Sequence, residues 1–303
     1  YPNTGVPTIP YYISYSMFGY QRIGDLAWAA GDLRARGFLL GGTSGRTTLN
    51  GEGLQHEDGN SHVISGMVPN CVSYDPTFGY ELAVILQDGM RRMYQEQEDI
   101  YYYITVMNEN YTHPGMPVGA EEGIRKGLYQ YRLGRSGLHS VQLMGSGAIL
   151  REVIKAAEIL ERDYSVSATV WSATSFTELQ RDGIATARRN RLNPENEQQV
   201  PWVAECLDGL EGPVIAATDY VRAYAEQIRP YLPQSDYTVL GTDGFGRSDT
   251  RENLRRFFEV DSNNVVYSAL YALHKRGDIS VEKLVKARKN LGLDPNKPNP
   301  LKS

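Results

Sequence analysis

The chain has 303 residues, a formal net charge of −5, 41% hydrophobic residues and 22% charged residues. Because this length exceeds what one hydrophobic core usually organises, two domains are expected. The basic residues are scattered, which argues against a nucleic-acid partner, and no apolar run of about 18 residues predicts a membrane span.

The cysteines and the first residues bear on the compartment of the protein. Cys71 and Cys206 are too few for a disulfide framework and are typical of a reducing, cytoplasmic compartment. The first ten residues, YPNTGVPTIP, have neither the basic nor the apolar region of a signal peptide. Because they also lack an initiator methionine, we expect the chain to begin within a longer polypeptide.

Apolar periodicity predicts alternating strands and helices in the first 107 residues. β-Branched and aromatic residues at 9–15 predict a strand, and apolar residues at i, i+3 and i+4 spacing within 23–33 predict an amphipathic helix. The same criteria predict further strands at 38–40, 71–74 and 100–107 and a helix at 80–93. Such alternation is typical of a parallel sheet that binds ligands at the carboxyl ends of its strands.

A second βα unit is predicted beyond residues 108–123, a stretch with two prolines and three glycines that resembles a linker. Strands are expected at 141–144, 166–171, 214–217 and 237–240, and helices at 149–160, 251–258 and 265–274. Asp249 is the predicted cap of the second of these helices, and Asn263 or Asn264 that of the third.

Residues 43–61 show no apolar period, and so long a loop is uncommon in a compact domain unless it has a function. Its end, GEGLQHEDGNSH, holds two of the five histidines and three carboxylates. The residue types allow three interpretations: a metal site, a loop that presents a histidine to a substrate, and a surface loop that satisfies its own backbone. The spacing matches no standard metal motif.

The segment YYISYSMFGYQRIGD leads from a predicted strand end into a helix. Tyr15 and Phe18 either pack in the core or expose a flat ring that suits an aromatic heterocycle. Other familiar motifs are incomplete. Gly145-Ser146-Gly147 lacks the third glycine of a dinucleotide fingerprint, the glycines at 241–246 lack the ending of a phosphate loop, and no Gly-x-Ser-x-Gly elbow occurs.

Five runs are long enough to be specific: YYISYSMFGYQRIGD, GGTSGRTTLNGEGLQHEDGNSH, YYYITVMNENY, EEGIRKG and VLGTDGFGRSDTRENLR. Together they resemble the C-terminal part of the homodimeric, bacterial-type pyruvate dehydrogenase first component, of the transketolase-like thiamine diphosphate superfamily. The resemblance implies an α/β fold of two βα domains with mostly parallel sheets. Residues 1–120 would be most of a pyrimidine-binding domain without its N-terminal strand, and residues 121–303 a transketolase-type C-terminal domain.

The resemblance also implies roles for particular side chains. Phe18 matches the ring that stacks on the aminopyrimidine of thiamine diphosphate. Tyr15 and His56 match residues that reach the substrate-derived adduct, as catalytic groups. Arg22 and Glu52 lie in the matching segments and are expected to contribute to cofactor binding.

The family resemblance calls for two further elements. No Gly-Asp-Gly motif for magnesium and diphosphate occurs, and the carboxylate that pairs with the pyrimidine would come from an earlier strand. The implied cofactors are therefore thiamine diphosphate and magnesium, with the metal ligands on an N-terminal portion. The implied partners are pyruvate, that N-terminal portion, a second copy in a homodimer, and dihydrolipoyl acetyltransferase with its lipoyl domains.

Two alternatives stay open at this point. A transketolase or another 2-oxo acid dehydrogenase would use the same cofactor, although the HEDGNSH run, which ends at His62, resembles the pyruvate enzyme more. A non-catalytic assembly or regulatory piece would use aromatic side chains, such as Trp28 and Tyr80, as a dimer face.

Overall fold

Two separate β-sheets divide the chain in the computed structural model, which describes residues 8–233 and 236–303. Within these ranges the strands are β1 (Tyr11–Tyr15), β2 (Phe38–Gly42), β3 (Cys71–Tyr74), β4 (Tyr101–Thr105), β5 (Tyr129–Arg132), β6 (His139–Gly145), β7 (Val166–Ser172), β8 (Val214–Ala217) and β9 (Tyr237–Leu240). The helices are α1 (Tyr20–Asp32), α2 (Ser61–Met67), α3 (Gly79–Met90), α4 (Glu121–Lys126), α5 (Leu150–Tyr164), α6 (Phe176–Leu192), α7 (Trp202–Leu207), α8 (Ala223–Glu226), α9 (Arg251–Phe258), α10 (Ser262–Lys275) and α11 (Val281–Asn290).

The first sheet has the strand order β1-β2-β4-β3, and each strand is parallel to its neighbours. Its register pairs Tyr15, the last residue of β1, with Gly42, the last residue of β2. Because parallel strands end at one edge of a sheet, the two segments that follow β1 and β2 start side by side. The segment after β1 carries Phe18, and the segment after β2 is the aperiodic loop that carries His56.

The second sheet has the order β5-β7-β6-β8-β9, in which only β5 is antiparallel to its neighbour. Helices α5 and α10 pack against it. Helix α5 does so through an apolar stripe of fully buried side chains, Leu150, Val153, Ala157 and Leu160. The α/β class with two units and mostly parallel sheets is therefore confirmed.

The strands and helices predicted from periodicity are all present, but both predicted helix caps are wrong. The Thr250 hydroxyl caps α9 by accepting the Asn253 N–H, while the carboxylate of Asp249 accepts the Thr250 N–H and an amide proton of the Asn253 side chain. At α10 the cap is Asp261, whose carboxylate accepts the Asn264 N–H, so the helix begins earlier than predicted. In both places several polar residues lie near the start of the helix, and the N-cap is the one whose backbone is extended.

The predicted linker is a packed segment. The Glu109 carboxylate pairs with the guanidinium groups of Arg151 and Arg255, and the Tyr111 hydroxyl donates to the Thr77 carbonyl. The last three residues of the predicted linker already belong to α4. Among the described residues, no helix has the length and apolarity needed to cross a membrane.

The suggested aromatic dimer face stays a prediction, and its two side chains lie in different surroundings. Trp28 on α1 is exposed, but Tyr80 stacks on Phe78 and its hydroxyl lies 2.7 Å from that of Tyr129. Tyr80 is therefore partly buried between the two units, whereas Trp28 is on the surface.

Truncation of a side chain in the α5 stripe should lower the free energy of unfolding. Leu160→Ala removes a fully buried side chain from the core of the second unit. We expect unfolding free energy to fall by about 2–5 kcal/mol, because a cavity replaces packed methyl groups. Urea denaturation measures this loss, and Leu192→Ala at an exposed position of α6 is the matched control. An equal loss of unfolding free energy in Leu160→Ala and Leu192→Ala would contradict the placement of Leu160 in the core.

Candidate active site

An aromatic cluster lies at the carboxyl end of β1. Tyr15 ends the strand with 46% of its surface exposed, and a 3-10 turn over Ser16–Phe18 leads through Gly19 into α1. The ring centroid of Phe18 lies 5.9 Å from that of Tyr15 and 5.0 Å from that of His56. The centroids of Tyr15 and His56 are 5.8 Å apart. The structure thus brings together three side chains that the sequence predicts for one site.

One face of the Phe18 ring is already covered. The guanidinium carbon of Arg22, one helical turn further along α1, lies 4.0 Å from the ring centroid. A planar ligand that stacks on Phe18 must therefore use the opposite face or displace Arg22.

His56 is oriented by a carboxylate in its own loop. Its Nδ1 lies 3.2 Å from Oε2 of Glu52, and both side chains are partly exposed. Among the described residues, Nε2 of His56 has no hydrogen-bond partner. With Nδ1–H directed at the carboxylate, Nε2 can accept a hydrogen bond in the neutral ring or donate one in the imidazolium.

The aperiodic segment 43–60, here called the site loop, is anchored on the second unit. Asp219 follows β8 and is buried, and its carboxylate accepts the Thr47 N–H at 2.8 Å. It also accepts the hydroxyls of Thr47 and Thr48, each at 2.6 Å. Burial raises the pKa of Asp219, although these hydrogen bonds favour its charged form. The first unit's loop therefore depends on a carboxylate of the second.

Arg46 and Glu57 form two further anchors, on either side of His56 in sequence. Arg46 donates to the carbonyls of Thr242 and Gly244, and the Glu57 carboxylate accepts the Arg247 N–H at 2.6 Å. Burial raises the pKa of Glu57 to about 8. Periodicity did not identify these anchors, since their partners are about 190 residues away.

His62, at the end of the HEDGNSH run, does not join the cluster. It is fully buried, with Nδ1 at 2.7 Å from the Ser73 hydroxyl and Nε2 at 3.0 Å from that of Thr105. Its ring stacks on Tyr224 with the centroids 4.7 Å apart. Burial lowers the pKa of His62 to about 3, so the imidazole is neutral at physiological pH.

Asp75 completes the buried network around His62. Its Oδ1 accepts the Thr105 hydroxyl at 2.7 Å and lies 3.9 Å from Nε2 of His62. Burial raises the pKa of Asp75 to about 7. A hydroxyl between the imidazole and the carboxyl group lets both remain in the interior without forming a full ion pair.

The metal interpretation of the loop receives no support from these positions. His56 pairs with Glu52, Glu57 with the backbone of Arg247, and His62 with two hydroxyls. In the described ranges, no group of three or more His, Cys, Asp or Glu side chains could hold a metal ion.

Two family models match consecutive parts of the chain. Residues 1–114 match the pyruvate dehydrogenase E1 component middle domain, and residues 115–261 match the transketolase-like C-terminal domain. Curated relatives include the pyruvate dehydrogenase E1 components of Cupriavidus necator, 62% identical, and of Escherichia coli strain K12, 58% identical. Each match covers 99% of this chain, and the chain spans about a third of the relatives' length, 34% in both cases.

Solved structures with a similar fold are transketolases. Those from Campylobacter jejuni and Leishmania mexicana both give a TM-score of 0.64 at 16% identity. The matches cover 87% and 88% of this chain and 35% and 34% of the transketolase chains. At this identity the likeness concerns the fold alone.

The buried histidine should make stability depend on pH. Since the folded state holds His62 with a pKa of about 3 and the unfolded state near 6.5, the unfolded state binds the extra proton between these values. Stability contributed by the neutral ring is present above pH 6.5 and is lost as pH falls towards 3. We expect this to amount to at most about 1.4 kcal/mol per pH unit.

His62→Gln keeps polar atoms beside Ser73 and Thr105 but cannot titrate. Between pH 6.5 and 4, its unfolding free energy should fall less steeply than that of the unmodified chain, as measured by urea denaturation. Both proteins keep Asp75 and the other carboxylates, so these groups titrate in both and the comparison isolates His62. Parallel slopes would show that His62 is not held neutral by the fold.

Proposed function

From its relationship, along 99% of its length, to the C-terminal third of bacterial pyruvate dehydrogenase E1 components, we propose that this chain forms part of such an enzyme. The reaction is the thiamine diphosphate-dependent oxidative decarboxylation of pyruvate, with transfer of the acetyl group to a lipoyl group of dihydrolipoyl acetyltransferase. The observation that carries the proposal is the convergence of Tyr15, Phe18 and His56 at one sheet edge, within the segments that resemble the family.

The proposed activity requires other parts of the enzyme besides this chain. Residues 1–120 serve as the pyrimidine-binding part and residues 121–303 as the C-terminal domain. The polypeptide that corresponds to the other two thirds of the relatives provides the magnesium ligands and the carboxylate for the pyrimidine. A second copy forms the homodimer. A cytoplasmic location is supported by the two free cysteines, Cys71 and Cys206.

The exposed cluster fits the aminopyrimidine end of the cofactor. Phe18 is only partly buried, and two rings with polar groups lie beside it, those of Tyr15 and His56, with centroids at 5.9 Å and 5.0 Å. Stacking on Phe18 fixes the plane of a heterocycle without specifying its charge. Arg22 packs against the Phe18 ring, and Glu52 pairs with His56, so both contribute to cofactor binding indirectly.

When bound, thiamine diphosphate supplies a carbanion at its thiazolium carbon and accepts the electron pair released as carbon dioxide leaves. The chain's own contribution is to orient and to stabilise charge. Phe18 holds the ring, and the Tyr15 hydroxyl and His56 Nε2 hydrogen-bond to oxygen atoms of pyruvate where negative charge develops. Glu52 keeps the imidazole oriented by its hold on Nδ1.

Removal of the imidazole tests the catalytic proposal. In enzyme assembled from this chain and the polypeptide for the rest of the relatives' length, His56→Ala should lower pyruvate turnover by about 10²–10³-fold, because one hydrogen-bond partner of the transition state is lost. The matched control is His139→Ala, at the start of β6. Turnover equal to that of the unmodified enzyme would remove His56 from the mechanism. Branched-chain oxo acids and sugar phosphates as substrates test the related activities.

Loss of the stacked ring tests the cofactor contact. Phe18→Ala should weaken thiamine diphosphate binding roughly tenfold, because aromatic stacking on the heterocycle is removed. Calorimetric titration of the assembled enzyme, in the presence of magnesium, measures the dissociation constant. Phe18→Tyr retains a flat ring and should bind nearly as well as the unmodified protein. An unchanged affinity in Phe18→Ala would exclude stacking on this side chain.

A further inference from the structure

The VLGTDGFGRSDT run contributes to the family resemblance, but none of the residues of the proposed site lies in it. Residues 241–247 of this run, here called the cradle loop, follow β9 at the carboxyl edge of the second sheet. They lie against the site loop, which follows β2 of the first sheet. The two loops are therefore carried by different units.

Two nearly solvent-free side chains join the loops. The Arg46 guanidinium, 4% exposed, donates to the Thr242 carbonyl at 2.6 Å and to the Gly244 carbonyl at 2.5 Å. The Glu57 carboxylate, 1% exposed, accepts the backbone N–H of Arg247 at 2.6 Å. Since buried polar groups are costly to leave without a hydrogen-bond partner, separation of the loops would be penalised at both points.

The cradle loop also contacts the turn that carries the imidazole. Gly246 packs so closely that a Cβ atom there would lie 2.4 Å from the Leu54 carbonyl oxygen and 2.8 Å from Oε2 of Glu57. Leu54 begins the 3-10 turn Leu54–His56. The contact at Gly246 therefore lies against the backbone of Leu54, two residues before His56, and against the side chain of Glu57, the residue after it.

The first unit contacts this part of the site loop through the rings of Tyr15 and Phe18, which lie beside His56. The start of the loop is bound there, through the Ser44 N–H and the Val106 carbonyl. Beyond it, the Arg46 N–H donates to the Asp219 carbonyl, the Gly51 N–H to the Asp249 carbonyl, and the Arg251 side chain to the Thr48 carbonyl. Among the described residues, the hydrogen bonds of 46–57 stay within the loop or go to the second unit.

We propose that the second unit positions His56: the cradle loop holds the site loop through Arg46, Glu57 and the close contact at Gly246. Arg46, Glu57 and Gly246 are positioning residues, and none of them reaches the reacting atoms. Only the catalytic consequence rests on the proposed function. The placement of the loop is a property of the 303-residue chain.

Gly246→Ala is the sharpest test, because it adds one methyl group and removes no hydrogen-bonding group. Gly246 lies outside the left-handed region, so the backbone accepts alanine, and the strain falls on Leu54 and Glu57. Hydrogen exchange at the amides of 52–58 should become about tenfold faster, the equivalent of one lost buried hydrogen bond. Exchange in β4 should stay unchanged. Gly115→Ala is the control, since a Cβ there meets nothing within 4 Å.

A second pair of variants keeps the test decisive if Gly246→Ala does not fold. Glu57→Ala removes the acceptor of the Arg247 N–H and should accelerate exchange at 52–58 in the same way. Glu57→Gln keeps an acceptor oxygen and should restore much of the protection. Unaltered exchange at 52–58 in both Gly246→Ala and Glu57→Ala would overturn the proposal.

The activity measurement separates positioning from general structure. In the assembled enzyme, Gly246→Ala should lower kcat by about 10²-fold at nearly unchanged KM, since a misplacement near 1 Å has that effect. Faster exchange with a normal kcat would refute positioning of His56. If the unmodified assembly does not decarboxylate pyruvate, the proposed function fails, and the exchange measurements still decide whether the cradle loop holds the site loop.

Discussion

The buried carboxylate of Asp219 anchors the first part of the site loop on the second unit. It accepts three hydrogen bonds from Thr47 and Thr48, and leaving such a group unpaired in the interior costs several kcal/mol. Gly45 makes the approach possible, with a left-handed φ of 89° and a position where a Cβ would lie 2.2 Å from the carboxylate. The geometry of a loop from the first unit is thus fixed by the second, and the aromatic cluster depends on both.

The two ends of the HEDGNSH run show how position decides the chemistry of an imidazole. His56 is partly exposed, paired with Glu52 and open at Nε2. His62 is enclosed by tyrosine rings and two hydroxyls, and burial keeps it neutral. Because His62 also contacts Tyr103 of the first sheet and Tyr220 of the second unit, it stabilises the seam between the units. A partly exposed imidazole and a fully packed one therefore lie only six residues apart in the sequence.

Sequence periodicity predicted the elements that have a continuous apolar run or stripe in the sequence, such as α5 and the strands other than β5. It missed β5, whose YQYR sequence is polar, and α6, in which charged residues interrupt the apolar positions. Phe18 and His56 could be assigned to one site only through the family resemblance, since their residue types also suit a core ring and a surface loop. The anchors of the site loop were beyond reach, because each joins residues about 170 to 200 positions apart.

Glu52 and Glu57 stand on either side of His56 and have opposite environments. Glu52 is partly exposed and orients the ring, whereas Glu57 is buried and fixes the backbone. For the role that we propose for His56, a ring held by one carboxylate on a turn held by another needs little reorganisation. Since burial raises the pKa of Glu57 to about 8 from an ordinary value of 4.5, the folded state binds the extra proton between these values. This contribution to stability is fully present below pH 4.5 and is lost as pH rises through 8, whereas the hydrogen bond from the Arg247 N–H favours the charged carboxylate.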